Sequence, residues 1–308
     1  MPSAPILFDR HLARARLLRA ASLPASIFLL EQVARELAER VAAVLRRFES
    51  AVDLGTPTDA VRRQLAQAGN IGTIIAANGV AGSFHQRAAG GGSRADALIV
   101  AADEEALPFR DGSLDLVMSA LSLQFVGDLP GTLMQIRRAL KPDGLLLAAL
   151  VGGDSLSELR QSFAAAEAEV ENGVSPRIIP FVDVRAAGSL LQRAGFALPV
   201  TDVDRITVRY PSPMALMHDL RAMGATNPML ERTRRPLRRA TLRRMMEIYG
   251  ERFADPDRRI RATFDIVWLS GWAPHGSQQK PLPPGAARTR LADALGVREH
   301  SAGERAGR

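Results

Sequence analysis

Five short apolar runs, each the length of a strand, punctuate the first half of the chain: Ala51 to Leu54, Ile71 to Ala77, Ala97 to Ala101, Leu114 to Ala120 and Leu145 to Leu150. Helically spaced segments or polar loops separate them. Strands joined by such crossovers pair in parallel, and right-handed crossovers place helices against the sheet. This pattern excludes an all-helical or all-antiparallel architecture and predicts an α/β sheet. No run approaches the roughly 20 apolar residues that cross a bilayer, so no transmembrane segment is expected.

The flanking segments complete the outline. Phe28, Val33, Leu37, Val41, Val44, Leu45 and Phe48 recur at helical spacing and predict an amphipathic helix over 27–48. Lys141-Pro142-Asp143-Gly144 reads as a turn between a helix and the fifth strand. Gly90-Gly91-Gly92 reads as a loop, not a phosphate cradle, because it does not lead from a strand into a helix. Ser155-x-x-Glu158 has the spacing of a capping box and predicts a helix to about Glu171. Another helix is expected from Val182 to Ala194, stopping at Gly195. Strands over Val200 to Tyr210 and Thr263 to Leu269 are expected to pair antiparallel, with 211–261 as a helical insertion. The resulting division is a helical segment over 1–50, a main domain over 51–280, and a Pro/Gly/Arg-rich tail over 281–308 expected to be disordered.

Charge and composition narrow the chemistry. The chain has no cysteine, which excludes disulfides, thiolate metal sites and cysteine nucleophiles. None of the five histidines stands in an H-x-D/E pair, and no metal site is expected. His218 and Asp219 read as surface or packing residues. The net charge is +7, and residues 231–244 (ERTRRPLRRATLRR) carry seven arginines against one glutamate. Such a run is either a solvated face or a dock for an acidic partner. No aromatic residue interleaves with it, so nucleic acid is not an expected partner.

Candidate ligand contacts lie at the predicted strand ends. The first run closes on Val52-Asp53-Leu54-Gly55, a strand meeting a glycine turn before a helix, where a backbone can approach a ligand closely. The second ends at Asn78, where a carboxylate would accept both hydroxyls of a ribose. The third ends in Ala102-Asp103-Glu104, and Asp103 is placed to accept from an adenine amino group.

The run DEEALPFRDGSLDLVMSALSLQFVGDLP followed by IRRALKPDG resembles the methyltransferase families that include the malonyl-carrier-protein O-methyltransferase of biotin synthesis. A longer match rests on FDRHLARARLLRA (8–20), GGDSLSELR (152–160), SPRIIPF (175–181) and YPSPMALMHDLRAMG (210–224). These resemble the mitochondrial complex I assembly factor 5 family and its bacterial relatives. The basic residues 10–19 could pass for a transit peptide; the match places them within the fold instead. The resemblance implies a Rossmann-like, seven-stranded class I methyltransferase sheet with helices on both faces and a helical insertion before the last strand. It implies S-adenosylmethionine as cofactor and a role in maturing a respiratory-chain subunit, where the family member is regarded as an arginine hydroxylase. Carried over by position, Asp53 and Gly55 would face the methionine end of the cofactor, Asn78 the ribose, and Asp103 and Glu104 the adenine. Ser119 to Gln124 would floor the reaction centre. A cytoplasmic bacterial location is expected, reaching the inner membrane only through a partner.

Two departures from the family pattern bear on the cofactor. The loop expected to read D-L-G-x-G-x-G reads Asp53-Leu54-Gly55-Thr56-Pro57-Thr58-Asp59, and Pro57 has no N–H to offer. Asn78 stands where an acid is usual; a hydrogen bond to a charged group contributes ~1.5–3 kcal/mol and a neutral one ~0.5–1.5 kcal/mol. Weak or lost cofactor binding is the expectation. The rival functions are methylation of an acyl-carrier thioester and a non-catalytic assembly role.

Overall fold

The sheet is built from β1 (Phe48–Leu54), β2 (Ile71–Asn78), β3 (Leu98–Ala101), β4 (Leu114–Ala120), β5 (Leu140–Gly152), β6 (Ala197–Tyr210) and β7 (Ile260–Trp272). Their spatial order is β3-β2-β1-β4-β5-β7-β6. In this computed structural model residues 7–24, 26–66, 69–79, 98–279, 293 and 295–298 are described. Neighbours from β3 to β5 pair in parallel, whereas β7 runs antiparallel to both β5 and β6. Val203 sits opposite Val267 in the β6–β7 pair, as expected for these two runs. The strand order reverses between β1 and β4, which opens a crevice above their C-terminal ends.

Eight helices accompany the strands: α1 (Arg10–Ala21), α2 (Phe28–Ala42), α3 (Ala60–Leu65), α4 (Leu129–Ala139), α5 (Ser157–Glu171), α6 (Val184–Arg193), α7 (Pro213–Ala222) and α8 (Arg239–Phe253). Side chains alternate across a strand, so each strand feeds two cores. Leu116 and Met118 of β4 meet α2, α5 and α8 through Val33, Leu37, Phe163 and Tyr249. Val117 faces the other way, toward Leu133 and Ile136 of α4 and Leu191 of α6. Each fully buried Leu or Phe contributes ~1.5–3 kcal/mol over its exposed state. The insertion between β6 and β7 contains α7 and α8, joined by a non-helical stretch over 223–238.

Three local expectations are corrected. The helix expected to reach Phe48 ends at Ala42; Phe48 instead opens β1, fully buried and opposite Ile71. Its apolar side chain fits the sheet's pattern as well as the helix's. Lys141 to Gly144 is not a turn but an irregularity inside β5, with Asp143 at φ +63° and the register with β4 shifted. Backbone bonds from Asp143 to Ala273 and from Ala273 to Gly144 hold it in the sheet. Ser155 and Glu158 form no capping box, because α5 begins only at Ser157. Ser155 Oγ accepts from the Asp265 N–H at 2.8 Å, and Glu158 accepts from the Thr263 N–H and hydroxyl. The pair is spent on fastening α5 to β7.

The chain divides into two units, 1–274 and 275–308. In the second, His275 Nδ1 and Ser277 Oγ are 2.7 Å apart in a turn. The tail expectation for 281–308 lies almost wholly outside the described residues, and the Gly90–Gly92 loop lies entirely outside them.

Candidate active site

A cavity of about 450 Å³ lies over the crevice between β1 and β4, within the size range of small-molecule sites. Gly55 from β1, Asn78 from β2, Glu104 beyond β3, and Leu121 and Ser122 beyond β4 converge on it. Gly55 holds φ +72° and donates to the Ala77 carbonyl at 2.7 Å. A Cβ at that position would run into the Ser122 side chain and come within 2.8 Å of Glu104 Oε1. Only glycine meets both demands. Pro57 and Thr58 also line the cavity, while the Thr58 hydroxyl accepts from the Ala60 N–H ahead of α3. The departures seen in the sequence therefore lie on the cavity wall.

Three of the six candidate contacts, Gly55, Asn78 and Glu104, border the cavity directly, whereas Asp53, Asp103 and Ser119 do not. Ser119 is fully buried in β4 on the strand face of Val117, and its Oγ has no partner. From the expected floor over 119–124, Leu121, Ser122 and Gln124 reach the cavity. Asp53 is 3% exposed, with Oδ1 unpartnered and Oδ2 4.0 Å from Arg62 Nε. Burial drives its carboxyl up to about 7, against the Thr56 hydroxyl and the Arg62 charge.

Asp103 is occupied by arginines of α1. Arg10 pairs with Asp103 and, at 2.7 Å, with Glu104; Arg14 Nη2 lies 2.5 Å from Asp103. Burial works to raise Asp103, but the Glu105 N–H and the two guanidiniums outweigh it and hold the carboxyl below its ordinary range. Glu104 also accepts from the Ser122 hydroxyl at 3.3 Å. The far end of α1 is fastened to the insertion. Phe8 bridges Met229, Arg16 donates to the Asn227 carbonyl, and Leu17 packs against Gly224. Helix α1 thus roofs the cavity from the β3 end to the insertion.

Arg10 and Arg14 were not legible as site residues from spacing, since α1 has no apolar stripe and buries only Ala20. The one signal was the set of family-like motifs, and all four of them meet at this cavity. Residues 8–20 supply Arg10, Arg14 and Leu17; 152–160 supply Leu156 and Leu159; 175–181 supply Arg177, Ile178 and Phe181; 210–224 supply Met214, Met217 and Arg221. His218, read as a surface or packing residue, is exposed and sits on the cavity rim. Among the described residues no three His, Cys, Asp or Glu side chains cluster as metal ligands.

The sheet order, the antiparallel β7 and the glycine turn at the switch point define a class I methyltransferase fold of the Rossmann-like kind. Residues 52–148 match the family model described as a methyltransferase domain. Two solved structures share the fold. One is a protein of Bacillus halodurans assigned to the methyltransferases, with a TM-score of 0.52 and 14% identity, covering 78% of this chain and 99% of that one. The other is the YcgJ protein of Bacillus subtilis, with a TM-score of 0.51 and 14% identity, covering 80% and 100%.

Relatives in sequence are more specific. The chain is 38% identical over 290 residues to arginine-hydroxylase NDUFAF5, mitochondrial, of Danio rerio, covering 93% of this chain and 89% of that protein. The Homo sapiens protein of the same name is 40% identical over 291 residues, covering 91% and 81%. A malonyl-[acyl-carrier protein] O-methyltransferase of Gallionella capsiferriformans is 32% identical over 280 residues, covering 87% and 92%. The chain belongs to the NDUFAF5 arginine-hydroxylase family, and the malonyl-carrier enzymes are more distant kin.

Proposed function

We propose that this chain binds S-adenosylmethionine at the strand ends and modifies a group presented by a partner protein in respiratory-chain assembly. The observation that carries the reading is the meeting of Gly55, Asn78 and Glu104, from three separate strand ends, on one cavity. The unpartnered Oδ1 of Asp53 beneath that wall is a second polar group available to a cationic ligand. The residues fit the cofactor: the glycine turn admits its backbone approach, Asn78 meets ribose hydroxyls, and Glu104 accepts from an amine. When bound, the cofactor supplies an electrophilic methyl group. Helix α1 and the insertion exclude water above it. Gly55 keeps the wall open, and Glu104 is held in place by Arg10 and Ser122.

Calorimetric titration of the full chain with S-adenosylmethionine and S-adenosylhomocysteine tests this. Binding in the natural chain, strengthened by Pro57→Gly with Asn78→Asp, is the expected result. No heat from either chain, even at millimolar ligand, would remove the cofactor from the reading and leave a non-catalytic assembly role.

One observation favours a second reading, methylation of an acyl-carrier thioester, the reaction named for the Gallionella relative. Within the arginine segment over 232–244, the two ends are paired inside the molecule: Arg232 with Asp9, and Arg244 with Glu169, Glu247 and Glu251. Between them Arg234, Arg235, Arg238, Arg239 and Arg243 are exposed, and none has an ion pair among the described residues. Arg238 and Arg239 stand at the start of α8, which has no acid in its first turn, so they oppose the helix dipole. An arrangement that costs stability yet faces solvent suits an acidic partner, whether a carrier protein or an assembly intermediate.

A further inference from the structure

The cavity has two differently built halves. The strand-end half, with Gly55, Asn78 and Glu104, is the polar one. Away from it, Phe163, Phe181, Phe264, Leu159, Leu237 and Leu242 enclose an apolar chamber. One wall of that chamber is a single face of α7. Met214, Met217, His218 and Arg221 all line the cavity at i, i+3, i+4 and i+7. This face is graded from apolar at its start to cationic at its end. At 1.5 Å per residue it spans about 10 Å. Arg221 and His218 are exposed at the rim, and Arg221 has no ion pair among the described residues.

We propose that this chamber binds an alkyl-chain anion, its chain laid along Met214 and Met217 and its acidic head at His218 and Arg221. Charge complementarity fixes the sign of the head. Among the described lining residues Glu104 is the one carboxylate, and Arg10 already holds it. Arg177, the other cation beside the aromatic wall, is neutralised by Glu167 at 2.6 Å. A cationic headgroup would therefore find no free carboxylate, whereas an anion finds Arg221 and the exposed arginines beyond Leu237 and Leu242. The apolar lining makes the body an alkyl chain, because unpaired polar groups there would lose their water without replacement. The inference deepens the reading above: the chamber is the substrate side of the same site, and the ligand arrives either as a free acid or as an acyl chain on an acidic carrier.

Calorimetry with the full chain tests it, using decanoate, decyltrimethylammonium and decanoyl-loaded acyl carrier protein as probes. Decanoate should bind at least about tenfold more tightly than the ammonium probe, and Arg221→Glu should remove about that advantage. Met217→Lys should abolish decanoate binding. In both variants the far-ultraviolet dichroism and the affinity for S-adenosylmethionine should be unchanged, which separates this chamber from the cofactor reading. Decanoyl carrier binding more tightly than decanoate, with the gap closing at high salt, would identify the carrier as the source; equal affinities would identify the free acid. Equal affinity for the two headgroups, or an Arg221→Glu chain that binds decanoate as before, would overturn the proposal.

Discussion

Asp53 gives the sharpest quantitative test of how the strand ends are built. Its carboxyl is 3% exposed and has one oxygen unpartnered, and burial raises it from 3.8 to about 7. The folded chain therefore keeps a proton that the unfolded chain gives up. Stability contributed by this group is full below the unfolded value near 4 and is lost as the pH rises toward 7. Each tenfold difference in proton affinity between the folded and unfolded chain is worth about 1.4 kcal/mol, so the loss between pH 4.5 and 7.5 is about 3 kcal/mol. Asp53→Asn removes the titration and keeps an oxygen that can accept from Thr56. Depressed carboxylates such as Asp265, held down first by Arg205, slope the other way but are common to both chains. The quantity to measure is the difference between natural and variant urea-unfolding free energies across that range. The variant should gain on the natural chain by about 3 kcal/mol from pH 4.5 to 7.5. Parallel curves would show that Asp53 ionises normally and that water or a close cation reaches it.

Two further outcomes follow from the ion pairs and the arginine edge. Helix α1 buries only Ala20 and leans on Arg10 and Arg14. Arg10→Gln with Arg14→Gln should therefore speed amide exchange over 10–21 by about tenfold or more without altering the central strands; unchanged exchange would mean that the Phe8 and Leu17 contacts suffice. Changing Arg234, Arg235, Arg238 and Arg239 to Glu should raise thermal stability slightly, by ~0.3–1 kcal/mol per favourable charge near the start of α8. The same change should slow association with an acidic partner, mainly through the on-rate and less so at high salt, where screening is strong. Unaltered on-rates at low salt would leave those arginines as a solvated face.

The sheet was legible because burial on both faces writes a strand as a continuous apolar run. Leu114 to Ala120 is wholly buried and coincides with β4 residue for residue. Where only part of an element is buried, the boundary moved. Val44 and Leu45 prolonged the apparent helical stripe, yet Leu45 is fully exposed and Phe48 belongs to β1. Ser155 and Glu158 had the right spacing for a cap, but Asp265 and Thr263 of β7 are stronger claimants than the helix's own N–H groups. Pattern reading sees separations along the chain and is blind to partners that arrive more than a hundred residues later.

The site divides along the same line. Its strand-end half is local, since a glycine turn after a strand and an acid after another can be read in place. Gly55, Asn78 and Glu104 accordingly reach the cavity. Its other half is assembled from segments with no shared periodicity: a basic helix at the start of the chain, a Pro-flanked stretch over 175–181, and α7 within the insertion. What unites them is enclosure, because each places one or two side chains over a crevice that the strand order opens. The cofactor half is the part common to a widely used fold, whereas the enclosure holds the motifs particular to this family. Specificity for the modified group therefore resides in α1, 175–181 and α7, where substitutions should change what is accepted more than whether S-adenosylmethionine binds.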